Sequence, residues 1–141
     1  MREDKHMINF PQDFLWGTST SGPQTEGRFA GDGKGDNLWD YWYQVEPHRF
    51  RFQEGPGLTS TFYENWEQDI ELLLETGHTA FRTSIQWSRI FPQGRGEVNP
   101  QGVAFYRQVF EAIKVKGIRL LVNLYHFDLP FALQEDGDGW E

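Results

Sequence analysis

The chain has 141 residues, of which 38% are hydrophobic and 16% aromatic, and its formal net charge is -8 at pH 7. The apolar content argues against an intrinsically disordered protein, and an acidic chain without a concentrated Lys/Arg stripe argues against binding to a nucleic-acid backbone. Cysteine is absent, and neither a signal-peptide pattern nor an apolar run of membrane-spanning length occurs. We therefore expect a soluble cytoplasmic protein with no nucleic-acid or membrane partner.

The N-terminal segment predicts a tail followed by the first strand. Residues 1–9 are largely charged or polar and include a second methionine, which is typical of a flexible tail, so the folded part is expected to span residues 10–141. Residues 14–20, FLWGTST, run from apolar to β-branched side chains and precede Gly22-Pro23. This pattern predicts a strand closed by a turn.

A long glycine-rich segment follows between residues 28 and 58. Its GDGKGD and EGPG stretches predict loops, and the aromatic sequence NLWDYWYQV at residues 37–45 is compatible with one or two helical turns. Because a loop of this length inside a compact domain is usually functional, we expect a functional role for it.

The next segment predicts a helix over residues 62–76. Thr61 and Glu64 have the spacing of a capping box, in which two side chains satisfy exposed backbone N–H groups at the start of a helix. Gly77 suits the left-handed residue that ends one. Apolar side chains recur at three- and four-residue steps and predict one buried stripe: Phe62, Trp66, Ile70, Leu73 and Leu74.

The remaining segments predict two more strands with a helix between them. Residues 80–87 and 119–127 read as strands, and Asn99-Pro100 opens a helix that ends at Gly117. The inner stripe of this helix is Val103, Tyr106, Phe110 and Ile113. A strand-helix-strand-helix-strand order is typical of a parallel sheet with right-handed crossovers, so the predicted fold class is α/β.

Parallel strands place their carboxyl ends at one edge of the sheet, and ligands bind at that edge in α/β proteins. Gln24 lies just past the first strand, where its amide could hold two neighbouring sugar hydroxyls or could tie down its own loop. Arg82 lies within the second strand, where a permanent cation needs an anion, either in a structural ion pair or in an active site. Arg89 is predicted to form a salt bridge at the rim.

His126 ends the third strand, beside Phe127 and Asp128. Its position fits either a hydrogen-bonded structural histidine or a working group of a site. The other histidines have no metal-ligand spacing, and the GDGKGD loop matches neither a P-loop nor a dinucleotide fingerprint. We therefore predict no metal and no cofactor, and the carboxylate pattern by itself isolates no catalytic pair.

Three segments carry a resemblance to a known family. They are FPQDFLWGTSTSGPQTEG at residues 10–27, FRTSIQWSRIFP at 81–92 and NLYHFDLP at 123–130, with GW following at 139–140. In order and spacing they resemble the first three strands of the family 1 glycoside hydrolases, the retaining β-glycosidases on a (β/α)8 barrel. The resemblance runs to residue 141 and implies the N-terminal βαβαβ portion of a TIM barrel.

The resemblance implies roles for individual residues. Gln24 and His126 would hydrogen-bond hydroxyls of the glycone sugar, with Phe127 also in the substrate site. Arg82 would lie beside the nucleophilic glutamate and hold it ionised and oriented. Trp140 resembles a residue that helps to shape the region beyond the third strand, without an assigned contact.

Finer features resemble one branch of the family. SGPQTEG, DYWYQVEPHRF and EGPGLTSTFY are more similar to the 6-phospho-β-glucosidases than to the enzymes of neutral sugars. Phe127 stands where the neutral-sugar enzymes usually carry tryptophan. The implied partner is a small-molecule β-glucoside with a 6-phosphate, and the alternative is a β-glucosidase of unphosphorylated sugars.

The resemblance also implies that both catalytic glutamates lie beyond Glu141, in Asn-Glu-Pro and Glu-Asn-Gly motifs, together with the loop that binds the 6-phosphate. Retaining hydrolysis needs two carboxyl groups about 5–5.5 Å apart, so no catalytic residue is predicted within this chain and the chain alone is expected to be inactive. We expect part of a longer hydrolase, aggregation-prone in isolation. The alternatives are a non-catalytic sugar-binding or assembly fragment and an unrelated parallel α/β enzyme. No oligomeric state is predicted.

Overall fold

The computed structural model describes residues 9–137 and 139–140. The predicted N-terminal tail therefore lies outside the described residues, except for Asn9. In chain order the elements are β1 (Gly17–Ser19), α1 (Gly22–Thr25), α2 (Leu38–Val45), the 3-10 turns Pro47–Arg49 and Arg51–Gln53, α3 (Phe62–Glu75), β2 (Ala80–Ser84), α4 (Trp87–Ile90), α5 (Pro100–Val115), β3 (Arg119–Asn123) and α6 (Phe131–Glu135).

The three strands form one parallel sheet in the order β1-β2-β3. Ala80 of β2 lies opposite Gly17 on one side and Arg119 on the other, and Ser84 lies opposite Asn123 at the far end. The two crossovers contain α3 and α5, which confirms the predicted α/β order. All three carboxyl ends consequently point to the same edge of the sheet.

The hydrophobic core lies where α3 and α5 pack against each other and against the sheet. Ile70 of α3 and Ile113 of α5 are fully buried, as the apolar spacing of both helices predicts. Burying side chains of this size stabilises the fold by roughly 1.5–3 kcal/mol each. The buried cluster comprises Phe62, Ile70, Leu73, Phe81, Phe105, Tyr106, Val109, Ile113 and Ile118.

The two long helices begin where the sequence predicts, but their starts are stabilised differently. Asn99 caps α5 as expected, because its side chain accepts from the backbone N–H of Gln101. The predicted capping box at Thr61 is wrong: Thr61 has a left-handed backbone with φ of 59°, and its hydroxyl donates to the carbonyl of Ser60. The start of α3 is fixed by a tertiary contact, in which the backbone N–H of Tyr63 donates to the backbone carbonyl of Glu26 at 3.3 Å.

All three strands are shorter than predicted, and β1 and β2 lead into short helices. Gly22 and Pro23 begin α1 and do not form a turn. After β2, the backbone N–H of Gln86 donates to the Tyr106 hydroxyl at 2.7 Å, and that of Trp87 donates to the Asp128 carboxylate at 2.8 Å. These side chains take the N–H groups that a longer strand would offer to the sheet.

The long loop contains α2 as two helical turns, within the predicted range. The Asn37 side chain accepts from Trp39 and Asp40, and the Asp40 side chain accepts from the backbone of Asn37 in return. The N–H of Leu38 donates to the carbonyl of Leu129 at 3.0 Å. The start of α2 is thereby tied to the segment that follows β3.

Candidate active site

Arg82 projects from β2 toward its two neighbouring strands at the carboxyl edge. Its Nη1 donates to the Thr20 carbonyl at 2.8 Å, and its Nε donates to Asn123 Oδ1 at 3.2 Å. Within the described residues no ion pair joins Arg82 to a carboxylate. A half-buried cation held only by neutral groups is costly, so this guanidinium is suited to receive an anion.

His126 lies beside Arg82, just beyond β3. The Arg82 Nη2 and His126 Nδ1 atoms are 3.3 Å apart, which joins the two side chains that the sequence places on different strands. The backbone N–H of His126 donates to Asp128 Oδ1 at 2.8 Å. Because Nδ1 faces Arg82, the Nε2 atom is the ring nitrogen left for a further partner.

Gln24 lies in α1, immediately after β1, and its side chain is exposed. Its Oε1 accepts from the Ser21 hydroxyl at 2.7 Å. The Ser21 hydroxyl thus holds the amide oxygen of Gln24, and the amide N–H₂ group takes no part in this contact. Gln24 and His126 line the same cleft.

Phe127 has an unusual backbone for an aromatic residue. Its φ is 61°, in the left-handed region that L side chains with a bulky group rarely adopt, and its side chain is 67% exposed. The ring lies edge-on to His126, with centroids 5.2 Å apart. An exposed aromatic side chain on a strained backbone is typical of a functional site.

The cleft between these residues has a volume of about 430 Å³. Its inner wall comes from the ends of β1 and β3, and its outer wall comes from the long loop. The lining residues are Ser21, Pro23, Gln24, Trp39, Phe50, Glu54, Gly55, Pro56, His126 and Phe127. Aromatic rings around a few polar groups suit a sugar, whose apolar face stacks while its hydroxyls are hydrogen-bonded.

A second polar group lies behind the cleft and is closed to solvent. We call it the buried ion cluster, and it consists of Glu26, Asp32, Gln86, Arg89 and Tyr106, all at most 5% exposed. Arg89 donates through Nε to Glu26 at 2.7 Å and through Nη1 to Asp32 at 3.0 Å. Gln86 donates to Glu26 at 2.7 Å, and so does the Tyr106 hydroxyl.

The prediction that Arg89 forms a salt bridge at the rim is therefore wrong in its location. Arg89 is fully buried, and its guanidinium lies 4.1 Å from the centroid of the Tyr63 ring. Burial alone lowers the pKa of Arg89, but the charge of Glu26 and the nearby Tyr106 and Asp32 outweigh burial and leave the pKa above its usual value. Arg89 is a structural cation at all accessible pH values.

The same burial acts on the acidic members of the cluster. Burial, with the neighbouring Glu26 charge, raises the pKa of Tyr106 well above its usual value, so the hydroxyl stays protonated and donates. Burial raises the pKa of Asp32 too, but the backbone N–H groups of Lys34 and Phe29 and the Arg89 charge outweigh it and leave the pKa below 3.8. The cluster is satisfied internally and offers nothing to a ligand.

The part of the chain that the structure describes contains no group of three or more His, Cys, Asp or Glu side chains arranged to hold a metal ion. Among the same residues, no helix is both long enough and apolar enough to cross a membrane.

Sequence reasoning missed two features of this edge. Glu26 and Arg89 each follow a strand of a parallel sheet, and an acid and a base in those positions were a signal for a pair. Asp128 was noted only as a neighbour of His126, although its carboxylate binds the backbone of both His126 and Trp87. Its partner Trp87 is 41 residues away, so no local pattern indicates the contact.

The fold and the edge together define a class of protein. Parallel strands, helical crossovers and a cleft at the carboxyl ends occur in both (β/α)8 barrels and open α/β sheets, and the similarity to a solved family 1 β-glucosidase identifies the described part as the N-terminal βαβαβ portion of a barrel. The chain belongs to glycosyl hydrolase family 1, because the model of that family matches residues 6–141.

Relatives within the family include a 6-phospho-beta-glucosidase and a coniferin beta-glucosidase. The chain is 52% identical over 131 residues to the 6-phospho-beta-glucosidase GmuD of Bacillus subtilis (strain 168), covering 93% of this chain and 28% of that protein. It is 42% identical over 132 residues to the coniferin beta-glucosidase of Pinus contorta, covering 94% of this chain and 26% of that protein.

A solved structure is also similar. The family 1 β-glucosidase from Thermotoga maritima superposes with a TM-score of 0.86 at 40% identity, over 93% of this chain and 29% of that one. The chain thus spans between 26% and 29% of the length of these relatives.

Proposed function

We propose that the protein containing this chain hydrolyses the β-glucosidic bond of 6-phospho-β-glucosides with retention, by double displacement. The chain supplies the glycone-binding part of the site, and the acid/base and nucleophilic glutamates come from sequence beyond Glu141. The observation that carries this proposal is Arg82, a half-buried cation that has no carboxylate partner among the described residues and adjoins a sugar-sized cleft.

Arg82 is proposed to support the nucleophile. Two of its nitrogens are oriented by Thr20 and Asn123, so the plane of the guanidinium is fixed before an anion arrives. A carboxylate placed against the Arg82 guanidinium is held ionised, because a neighbouring positive charge typically lowers the pKa of a carboxyl group by roughly 1–3. An ionised glutamate is the form that attacks the anomeric carbon in a retaining mechanism.

Gln24 and His126 are proposed to bind hydroxyls of the glycone. Both line the cleft, and each has one side held by the protein: Gln24 by Ser21, and His126 by Arg82 at Nδ1. Groups held in this way lose little rotamer freedom when a sugar binds. Phe127 is proposed to contact the sugar through its exposed ring.

The 6-phosphate is the finer part of the proposal. It is supported by the relative at 52% identity, a 6-phospho-β-glucosidase, and by the sequence features around Phe127 and the long loop. The described cleft has no Lys or Arg among its lining residues and contains Glu54. We therefore assign the phosphate-binding groups to sequence outside this chain, on the side of the sugar away from Glu54.

A β-glucosidase of neutral sugars is the second candidate. Glu54 favours it, since a carboxylate in the cleft repels a phosphate that approaches closely. The relative from Pinus contorta, a coniferin beta-glucosidase, is of this kind. In either case the partner is a small-molecule glucoside, and we propose no cofactor and a cytoplasmic location.

The test is an assay of the full-length protein on p-nitrophenyl β-glucoside with and without a 6-phosphate. We expect kcat/KM to be at least about tenfold higher for the phosphorylated substrate, a difference in transition-state binding of about 1.4 kcal/mol. NMR of the first sugar released should show the β anomer, as retention requires. Faster cleavage of the neutral substrate would replace the first candidate by the second, and cleavage of neither would refute both.

The Arg82→Met variant assigns the activity to this site. Its matched control is Arg107→Met, because Arg107 is an exposed arginine of α5 that does not line the cleft. Loss of activity in the first variant alone supports the proposed role of Arg82.

A further inference from the structure

One buried carboxylate joins the two segments that follow β2 and β3. Asp128 is 0% exposed, and its two oxygens have different partners. Oδ1 accepts from the backbone N–H of His126 at 2.8 Å, and Oδ2 accepts from that of Trp87 at 2.8 Å. A single side chain thus links the first residue of α4 to the histidine of the cleft.

This carboxylate differs from the acids of the buried ion cluster. Glu26 and Asp32 are both paired with Arg89, whereas no ion pair to Asp128 occurs in the described part of the chain. Burial raises the pKa of Asp128, although the N–H groups of His126 and Trp87 act against that rise. Burying an acid without a cation costs stability, and the two backbone hydrogen bonds are what this carboxylate supplies in return.

The hydrogen bond from His126 to Asp128 encloses the left-handed residue Phe127. It closes a short ring around Phe127, whose φ of 61° carries a cost of roughly 1–2 kcal/mol for a residue with a side chain. The carboxylate therefore holds the strained turn that directs the Phe127 ring to the cleft edge. On the other side of the turn, the His126 ring adjoins Arg82.

We propose that Asp128 is a positioning residue that fixes His126 and Phe127 in the cleft by anchoring their backbone to the segment after β2. This inference rests on the proposed function for its kinetic consequences, but its structural part stands separately. Asp128 does not contact the cleft itself, since it is buried and is absent from the lining residues.

The first variant is Asp128→Asn in the full-length protein. An asparagine keeps one acceptor oxygen and places an N–H₂ group against the other backbone N–H, so one of the two bonds is lost. Amide hydrogen exchange at His126 and Trp87 should become at least about tenfold faster at one of the two residues. Per folded molecule, kcat/KM should fall about ten- to a hundredfold, the cost of misplacing a substrate-binding group by about 1 Å.

The matched control is Asp32→Asn. Asp32 is also a buried aspartate that accepts from two backbone N–H groups, those of Phe29 and Lys34, but it lies outside the cleft wall. The Asp32→Asn variant should lower the melting temperature and leave kcat/KM per folded molecule within about twofold. A purely structural role for Asp128 would make both variants behave in this way, and that result would overturn the proposal.

A second pair of variants covers the case in which Asp128→Asn does not fold. Phe127→Gly removes the strain of the turn, because glycine adopts positive φ freely, so the double variant Phe127→Gly/Asp128→Asn is compared with Phe127→Gly alone. Faster exchange at His126 or Trp87 in the double variant supports the proposal. Equal exchange in both members of the pair overturns it, and inactivity of the wild type on both glucosides contradicts the proposed function without affecting this comparison.

Discussion

The buried ion cluster and the cleft lie at the same edge of the sheet and contain similar residue types, but they differ in how their polar groups are satisfied. In the cluster, Arg89 donates to Glu26, Asp32 and the carbonyl of Gly27, so its charge is paired and each of its three nitrogens makes a hydrogen bond. Beside the cleft, Arg82 donates only to neutral groups. This difference separates Arg89, a structural arginine, from Arg82, an arginine suited to bind an anion.

This difference has a physical origin in the cost of burying charge. A buried ion is retained only with a partner, so a fully buried and fully paired group contributes to the fold and is not free for a ligand. A half-buried group with spare hydrogen-bonding capacity keeps contact with water until a ligand replaces it. Arg82 in β2 and Arg89 in α4, seven positions apart, thus have different roles: Arg82 is suited to a ligand, and Arg89 stabilises the fold.

The largest effect is expected from breaking the cluster with Arg89→Met. Removing the guanidinium leaves two buried carboxylates unpaired, which should lower the free energy of unfolding by about 3–5 kcal/mol. Chemical denaturation of the full-length protein measures this loss. Arg107→Met is the control, with an expected change within about 0.5 kcal/mol. A similar small change for Arg89→Met would show that the cluster is not structural.

The two buried aspartates should respond to pH with opposite signs. Asp32 has a pKa below 3.8 in the folded protein, so its contribution to stability is present above 3.8 and is lost as the pH falls through the folded pKa. Asp128 has a raised pKa, so it binds a proton more readily in the folded state, and stability falls as the pH rises from 3.8 through the folded pKa.

The measurement is the pH dependence of unfolding for the wild type, Asp32→Asn and Asp128→Asn. The stability advantage of the wild type over Asp32→Asn should shrink toward acid pH. Its advantage over Asp128→Asn should shrink in the opposite direction, as the pH rises above 3.8. Curves that converge at the same end of the pH range would contradict the contrast between a paired and an unpaired acid.

The smallest effect on stability is expected from Phe127→Gly. Glycine removes the left-handed strain but loosens the unfolded chain, so the net gain in stability should be below about 1 kcal/mol. Phe52 is the matched control, since its φ is 58° and its side chain is 77% exposed outside the cleft lining. Both glycine variants should gain or hold stability, and only Phe127→Gly should raise KM for the glucoside.

A loss of more than about 1 kcal/mol in Phe127→Gly would show that the Phe127 ring packs as part of the fold. An unchanged KM in that variant would remove Phe127 from the substrate site.

The two long helices, α3 and α5, were predictable from the sequence because their signals are local, whereas the short helices α1, α4 and α6 were not predicted. The apolar stripe of α3 and the Asn99-Pro100 start lie within a few residues of the structures they specify, although Leu74, the last predicted member of that stripe, is 39% exposed. The strand ends were not predictable, because Tyr106 and Asp128 capture the backbone N–H groups after β2 from 20 and 41 residues away. Local residue spacing does not predict such long-range contacts.

The positions of the site residues at the sheet edge were predictable from the sequence, but their hydrogen-bonding and charge partners were not. A parallel order of strands is enough to bring Gln24, Arg82 and His126 to one edge. The pattern could not tell that Arg82 would lack a carboxylate within the described residues while Arg89 would have two, because the partners of both arginines come from distant segments. Only the distances between segments separate them.

The most direct measurement is kcat/KM of the full-length Arg82→Met protein on p-nitrophenyl 6-phospho-β-glucoside, normalised to folded protein and set beside its unfolding curve. An arginine held ready for the nucleophile predicts a loss of about 100- to 1,000-fold in kcat/KM, as for other groups that stabilise charge in a site, with much less destabilisation than in Arg89→Met. The proposed role of Arg82 would be contradicted if the Arg82→Met protein kept the kcat/KM of the wild type. It would also be contradicted if Arg82→Met were destabilised as much as Arg89→Met.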